Sequence, residues 1–391
     1  MKLANRMSRL GTETAFTVLA RAKALEAEGR DIIHLEIGEP DFDTPANIID
    51  AGVRALQSGY THYTPAPGIP ELRQTIASHI SETRGLDFKA ENVVVVPGAK
   101  PIIFFPILAL IEAGDEVILP NPSFPIYESM VNFMDAKPVF VRLSEEEGFG
   151  FDLDMFADSL SDRTRLVILN SPSNPTGGVL SKDQLATIAD MLRDRPDVMI
   201  LSDEIYSRVL YDREHVSIAS EPDMKDRTII LDGYSKTYAM TGWRLGYGVM
   251  NKALAEAVTQ LQINSTSCVN ASAQMAGIEA LAGPQDAVDA MVAEFQARRD
   301  LIVEGLNSLP GVTCQLPEGA FYVFPNVTQL GIDQDELADR LLNEAGVATL
   351  PGTAFGEYGK GYLRLSYANS QDNIRRALDR IGELVTAAAS V

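Results

Sequence analysis

Lys236 sits between Ser235 and Thr237 in the run DGYSKTYAMTGWRLGYGVM (232–250), which continues to Trp243, the only tryptophan, and Arg244. The apolar run TIIL (228–231) lies ahead of the lysine and a Gly-Trp-Arg turn follows it. Such a setting can hold an amine in a pocket, partly out of water, with a fixed cation nearby. Both influences lower an amine's pKa. A free lysine near 10.4 is almost wholly protonated at neutral pH. It becomes a useful nucleophile only when that value falls by about 3, a change worth about 4 kcal/mol. The chemistry best served is a Schiff base with a carbonyl of a cofactor or substrate.

Other polar residues end neighbouring apolar runs. RLVILN (165–170) passes into SPSNPTGG (171–178), which places Asn174 in a Pro/Gly-rich turn. VMILS (198–202) ends at Asp203, with Tyr206 shortly after, and TIILD (228–232) leads to Ser235 and Lys236. Side by side in one sheet, these runs would bring an acid, a phenol, an amide and an amine around one pocket. That set suits pyridoxal phosphate. Asp203 would pair with the ring nitrogen and keep it protonated. Tyr206 and Asn174 would hydrogen-bond the ring's phenolate oxygen. Arg244 would clamp the phosphate with its two-pronged guanidinium. The turn VPGAKP (96–101) leads into a helical run, so backbone N–H groups of Gly98, Ala99 and Lys100 would cap the phosphate at a helix N-terminus.

The elements that must position these groups are short apolar runs alternating with helical stretches. They are VVVV (93–96), EVIL (116–119), PVFV (138–141), RLVILN (165–170), VMIL (198–201), TIIL (228–231) and LGYGVM (245–250). Near-continuous apolar strands separated by helices predict an α/β fold with a mostly parallel sheet covered on both faces. Ligands of such sheets lie beyond the carboxyl ends of the strands. Ahead of the sheet, an amphipathic helix over 14–29 and the short strand and turn IIHLEIGEPDF (32–42) form an N-terminal arm. Asp41 and Asp43 are expected to cap the next helix, with Pro45 in its first turn. After a helical stretch over 252–282, AGPQD (282–286) marks a boundary. A long helix over 287–306, strands FYVFP (321–325) and YLRLSY (362–367), and a helix from 371 complete the chain. The division expected is an arm and part of a small domain over 1–45, a large cofactor-binding domain over 46–283, and a C-terminal small domain over 284–391.

With 391 residues, 46% of them hydrophobic, the chain can bury a large core. Its net charge of −21 argues against a grip on nucleic acid or anionic lipid. Cys268 and Cys314 have neither disulfide-scaffold nor zinc spacing, and His34, His62, His79 and His215 occur singly, so no metal site is expected. Residues 1–16 lack the apolar core of a signal peptide, and no run approaches the roughly 20 apolar residues of a membrane span, which predicts a cytoplasmic protein. No G-x-G-x-x-G follows a strand and no G-x-x-x-x-G-K-[ST] occurs, which sets aside nicotinamide dehydrogenases and nucleotide triphosphatases.

IGEPDFDTP (37–45), YTPAPGIPELR (63–73), SPSNPTGG (171–178), SDEIY (202–206), SKTYAMTGWRLGY (235–247) and YLRLSYA (362–368), in this order, span most of the chain. On these motifs the chain resembles the class I/II aminotransferases of pyridoxal phosphate fold type I, in particular the bacterial aspartate aminotransferase-like subgroup. The resemblance implies a large domain with a mostly parallel seven-stranded sheet sandwiched by helices, plus a smaller α+β domain. It implies that Lys236 is the Schiff-base lysine and proton shuttle, that Arg364 binds the substrate α-carboxylate, and that Gly38 lets the backbone approach it. Asn174 and Lys100 would also stand at the substrate, and Phe124 would stack on the cofactor ring. Tyr63 would reach the phosphate of a neighbouring subunit, which implies a homodimer with shared active sites.

The chain departs from the pattern at Gly233, where many relatives carry a hydroxyl residue, at Phe124 in place of Tyr or Trp, and at Lys100 in place of a small or hydroxyl residue. In some relatives that act on acidic substrates, a lysine at this last position contacts the distal carboxylate. The activity implied is ping-pong transfer of an amino group between an L-amino acid, aspartate or glutamate in type, and a 2-oxo acid. Aromatic or alanine-type transamination and C–S β-elimination use the same lysine and carboxylate clamp and stay open. So do plainer roles: an ion-pair arginine at 364, a solvated lysine at 100, a solvated strand end at Asp203-Glu204. Ligand sensors fused to a DNA-binding module share this domain, but the acidic chain shows no helix-turn-helix extension.

Overall fold

The computed structural model describes residues 1–388. The apolar runs form one sheet of β1 (Val93–Val96), β2 (Glu116–Asn121), β3 (Lys137–Ser144), β4 (Gly150–Phe151), β5 (Thr164–Asn170), β6 (Met199–Asp203), β7 (Thr228–Gly233) and β8 (Gly246–Val249). Their spatial order is β1-β8-β7-β6-β5-β2-β3-β4. Pairings from β7 through β3 are parallel, and β8 runs against both β1 and β7. Seven strands are those read from the sequence, and the eighth, β4, is a two-residue antiparallel addition beside the end of β3.

The runs are continuously apolar because both faces of the sheet are covered. Val94 and Val96 face one core with Ile102 and Ile103, while Val93 and Val95 face another with Leu72, Ile76 and Ile80. Each such side chain contributes about 1.5–3 kcal/mol by leaving water, so a register slip on either face is costly. Parallel pairing aligns the carboxyl ends: Asn170 lies opposite Asp203, and Asp203 opposite Leu231. Polar residues just past β5, β6 and β7 therefore open onto one edge.

Two small sheets stand over that edge. Leu363–Ser366 lies between Tyr322–Val323 and Leu350–Pro351, antiparallel to both, and Ile33–His34 pairs in parallel with Val347–Ala348. The N-terminal arm and the C-terminal part of the chain are thus joined strand to strand. Helices Thr14–Ala27, Asp286–Asn307 and Gln371–Ala388 fall where the apolar spacing put them. The stretch 252–282 is two helices, Lys252–Ser265 and Ala271–Ala282. It breaks at Ser267, whose φ is 62°, and restarts at Asn270, whose side chain accepts from the Ala273 N–H. Asp41 and Asp43 do not cap the helix Ala46–Gln57: Pro45 occupies the N-cap position, no side chain caps it, and Asp41 accepts instead from Arg298 at 2.6 Å. Among the described residues, no helix is long and apolar enough to cross a membrane.

Candidate active site

A cavity of about 370 Å³ opens at the carboxyl ends of β5, β6 and β7. Asp203 and Tyr206 reach it after β6, Ser235 and Lys236 after β7, Asn174 after β5, and Ala99 and Lys100 from the turn after β1. Gly38, Phe124, Arg244 and Arg364 complete the set from other segments.

Lys236 Nζ donates to the Gly38 carbonyl at 2.5 Å and stands 5.9 Å from the Tyr206 ring centre and 5.7 Å from that of Phe321. Burial pushes its amine down to about 8; Arg364 and Lys100 push the same way, against Glu39 and Glu13. Among the described residues no carboxylate forms an ion pair with it, so the amine keeps a lowered affinity for its proton.

Asp203 is buried and accepts from Tyr127 at 2.5 Å and from the Ile205 N–H at 3.2 Å. Burial outweighs both bonds and pushes the carboxyl up to about 6. Next to it, Glu204 points to the other face of β6 and is met by Arg84 at 2.8 Å and His215 at 2.9 Å. Despite complete burial, the Arg84 guanidinium and the hydrogen bonds from His215 and Ser217 hold Glu204 well below the usual carboxylate range. The two adjacent acids therefore differ in kind: Glu204 is already paired, whereas Asp203 has no cation bonded to it. Tyr206 shares a 2.7 Å hydrogen bond with Tyr322, and burial raises both phenols.

Arg364 is 3% exposed. Its Nη2 donates to the Glu36 carbonyl, its Nη1 to Asn174 Oδ1 at 3.4 Å, and its Nε has no partner. The guanidinium lies 4.6 Å from the Tyr322 ring centre and 5.0 Å from that of Phe355. No carboxylate forms an ion pair with it among the described residues. A buried guanidinium without a counter-charge is unfavourable, and an anionic ligand supplies what is missing. Gly38 is required nearby, since a Cβ there would collide with the Tyr322 hydroxyl and lie 2.8 Å from its Cζ.

At the other end of the cavity, Gly98 has φ 77°, and a Cβ would strike the Arg244 guanidinium. Arg244, itself at φ 53°, donates to the Thr241 carbonyl at 2.7 Å. Among the described residues, the N–H groups of Gly98, Ala99 and Lys100 and the Ser235 hydroxyl donate to no protein acceptor. These unpaired donors beside an arginine make an anion cradle at the start of the helix Pro101–Leu110. Gly233 faces Gly246, whose Cα would lie 3.0 Å from a Cβ at 233, so a side chain there would crowd the neighbouring strand.

The family model described as aminotransferase class I and II matches residues 30–381. The chain belongs to the class I and II aminotransferases. It is 39% identical over 390 residues to an aspartate aminotransferase of Bacillus sp. strain YM-2, covering 98% of this chain and 99% of that one. The solved aspartate aminotransferase of Rhizobium meliloti superposes with a TM-score of 0.95 at 37% identity, covering 99% of each chain. An alanine aminotransferase of Pyrococcus furiosus superposes at 0.94 and 33% identity, covering 99% of this chain and 100% of that one. An aminotransferase is an enzyme, and the two anion-seeking ends of the cavity with a lysine between them suit that class.

In this aminotransferase two predicted residues lie off the cavity wall. Gly98 stands behind Arg244, and Tyr63 is 92% exposed on the surface of its own chain. Lys100 forms an ion pair with Glu13 and lies 5.5 Å from the Phe124 ring centre, so it is neither free in solvent nor bare in the cavity. Sequence reasoning missed Tyr127, Tyr322, Phe355 and Glu13. Tyr127 and Tyr322 left a weak signal, as tyrosines in the apolar runs NPSFPIY (121–127) and GAFYVFP (319–325). Nothing local marks Glu13, which meets Lys100 only through the fold.

Proposed function

We propose that the chain is a pyridoxal phosphate-dependent aminotransferase that moves an amino group between an aspartate- or glutamate-type L-amino acid and a 2-oxo acid, one site serving both half-reactions. The observation that carries this reading is the half-buried Lys236 amine and the buried Arg364 guanidinium facing one cavity, neither with a carboxylate ion-pair partner among the described residues. The donor set fits the cofactor. Unpaired N–H groups at 98–100, Ser235 and Arg244 would hold the phosphate, Asp203 the ring nitrogen, Tyr206 and Asn174 the ring oxygen, and Phe124 one face of the ring. When bound, pyridoxal phosphate supplies a carbonyl that takes up amines and a ring that draws electrons from the substrate α-carbon.

The chain's own residues account for the remaining work. Arg364 orients the α-carboxylate, with Nη1 and the second N–H of Nη2 still able to donate. Lys236 Nζ, steered by the Gly38 carbonyl, takes the proton that leaves the α-carbon and returns it in the reverse half-reaction. Phe355 and Tyr322 pack around Arg364 and exclude water from it. Lys100, released from Glu13, would be the cation that meets a distal carboxylate, and the aspartate aminotransferases among the relatives support the acidic-substrate reading. We further propose a homodimer. Ile49, Val53 and Leu56 form an exposed apolar stripe on the helix Ala46–Gln57, and Tyr63 projects beyond it. The domain division at about 45 and 283 belongs to the same reading.

The test is Lys236→Ala. The variant should still bind the phosphate-anchored cofactor but lose the visible absorption change on adding aspartate or glutamate, and nearly all turnover. Wild-type-like transamination would overturn the assignment. Pyruvate and ammonia formed by the unmodified enzyme without a 2-oxo acid acceptor would move it to β-elimination.

A further inference from the structure

The segment 34–38 carries a half-buried chain of charged groups that the proposed reaction does not use directly. Its carbonyls hold both cavity cations: Glu36 O accepts from Arg364, and Gly38 O from Lys236. The segment is fixed by backbone bonds from Leu35 N–H to Ala348 O at 3.0 Å and from Ser366 N–H to Leu35 O at 2.7 Å. The Glu36 side chain is fully buried and forms no ion pair with Arg364. One of its oxygens meets His34 Nδ1 at 2.7 Å, and the other, Oε2, has no partner among the described residues. The second ring nitrogen of His34 meets Glu26 at 3.0 Å. Ionised carboxylates only accept, so satisfying both bonds requires an imidazolium with two N–H donors.

We propose that His34 is a positioning residue for Arg364: as an imidazolium held between Glu26 and Glu36, it fixes the segment whose carbonyls aim both cavity cations. This rests on the reading of Arg364 as the carboxylate-binding group. The Glu36 hydrogen bond raises the His34 pKa and burial opposes it, with a net upward direction. The surrounding charges are Glu26 and Lys23 on the helix Thr14–Ala27 and Glu36 on the segment itself. From the C-terminal helix come Arg376 and Arg380, both engaged by Asp31. As pH rises through the raised pKa, the neutral ring keeps one N–H and one carboxylate loses its donor. If that carboxylate is Glu36, an unpaired charge is buried directly behind the Arg364 carbonyl contact, and the segment shifts to relieve it.

The experiment follows the His34 ring resonances of the holoenzyme by NMR across pH, alongside the dissociation constant of succinate, a dicarboxylate with no amino group to react. The wild type should show His34 titrating above its ordinary value and succinate weakening at least about tenfold over the same interval. Glu26→Gln, which removes one of the two carboxylates, should move both midpoints down together. His34→Gln should bind succinate weakly throughout, with no break at that pH. A break that survives in His34→Gln, or that stays put in Glu26→Gln while the ring midpoint moves, overturns the proposal. Amino donors that still turn over while succinate affinity is flat across the His34 titration sink this inference alone. If neither donors nor succinate engage the cavity at any pH, the aminotransferase reading falls with it.

Discussion

Arg364→Lys keeps the positive charge and most of the stem while removing the planar fork, so it isolates what the guanidinium geometry contributes. In the structure, Nη2 is committed to the Glu36 carbonyl, Nη1 holds only a 3.4 Å bond to Asn174, and Nε has no partner. Nε is buried out of a ligand's reach, so the two donors left for an incoming carboxylate are Nη1 and the second N–H of Nη2. A lysine in the same place would have to satisfy Glu36 and the ligand from a single ammonium group. One charge-assisted bond of about 1.5–3 kcal/mol is lost, which lowers kcat/KM by about 10- to 150-fold. Because every donor and acceptor carries the same α-carboxylate, the loss should be similar for aspartate, glutamate, alanine and phenylalanine, measured as single half-reactions by stopped-flow absorbance. A loss confined to one substrate would make Arg364 a side-chain contact. A loss below about threefold, less than one such bond can account for, would refute the two-donor argument itself.

Gly38→Ala places a methyl group against the Tyr322 hydroxyl, and the ring must move away from its 2.7 Å bond with Tyr206. It should destabilise the protein by about 1–3 kcal/mol in denaturant unfolding and raise KM for all amino acids; wild-type stability would show that the ring moves freely. Asp203 holds its proton below about pH 6 in the ligand-free chain, because burial raises it. A cofactor that needs the carboxylate must expel that proton, so cofactor affinity should fall about tenfold per pH unit below that point. Asp203→Asn should bind weakly and lose this slope, and an unchanged slope in the variant would assign the titration to the cofactor.

The large sheet was legible because burial on both faces forces near-continuous apolar runs such as VVVV (93–96) and TIIL (228–231), and little else in a chain has that pattern. Asn174, Asp203 and Lys236 could be placed at one edge for the same reason: each follows a strand, and parallel pairing does the rest. What escaped is everything that depends on a partner remote in sequence. Glu13 meets Lys100, Tyr322 meets Tyr206, and Asp41 meets Arg298 across long stretches of chain. Asp41 illustrates the limit well. Local rules favour an aspartate as a helix cap, but a buried arginine competes for the same carboxylate and wins. The break in 252–282 escaped too, since SerThrSer (265–267) is compatible with a helix until the left-handed φ of Ser267 ends it.

The use of carbonyls at 36 and 38 to hold the two cations has its own logic. A carboxylate in either place would orient the cation equally well, yet it would neutralise Arg364 and return Lys236 toward the ordinary lysine value near 10.4. A carbonyl dipole fixes direction and leaves the net charge unspent. The guanidinium then still attracts a carboxylate, and the amine stays near 8, where a useful fraction is unprotonated. The condition for this is a buried guanidinium and a half-buried amine with no carboxylate ion pair among the described residues, while the segment's own carboxylate, Glu36, is bound to His34. Removing that restraint should therefore show first in how well the cavity holds an anion, before it shows in whether the protein folds.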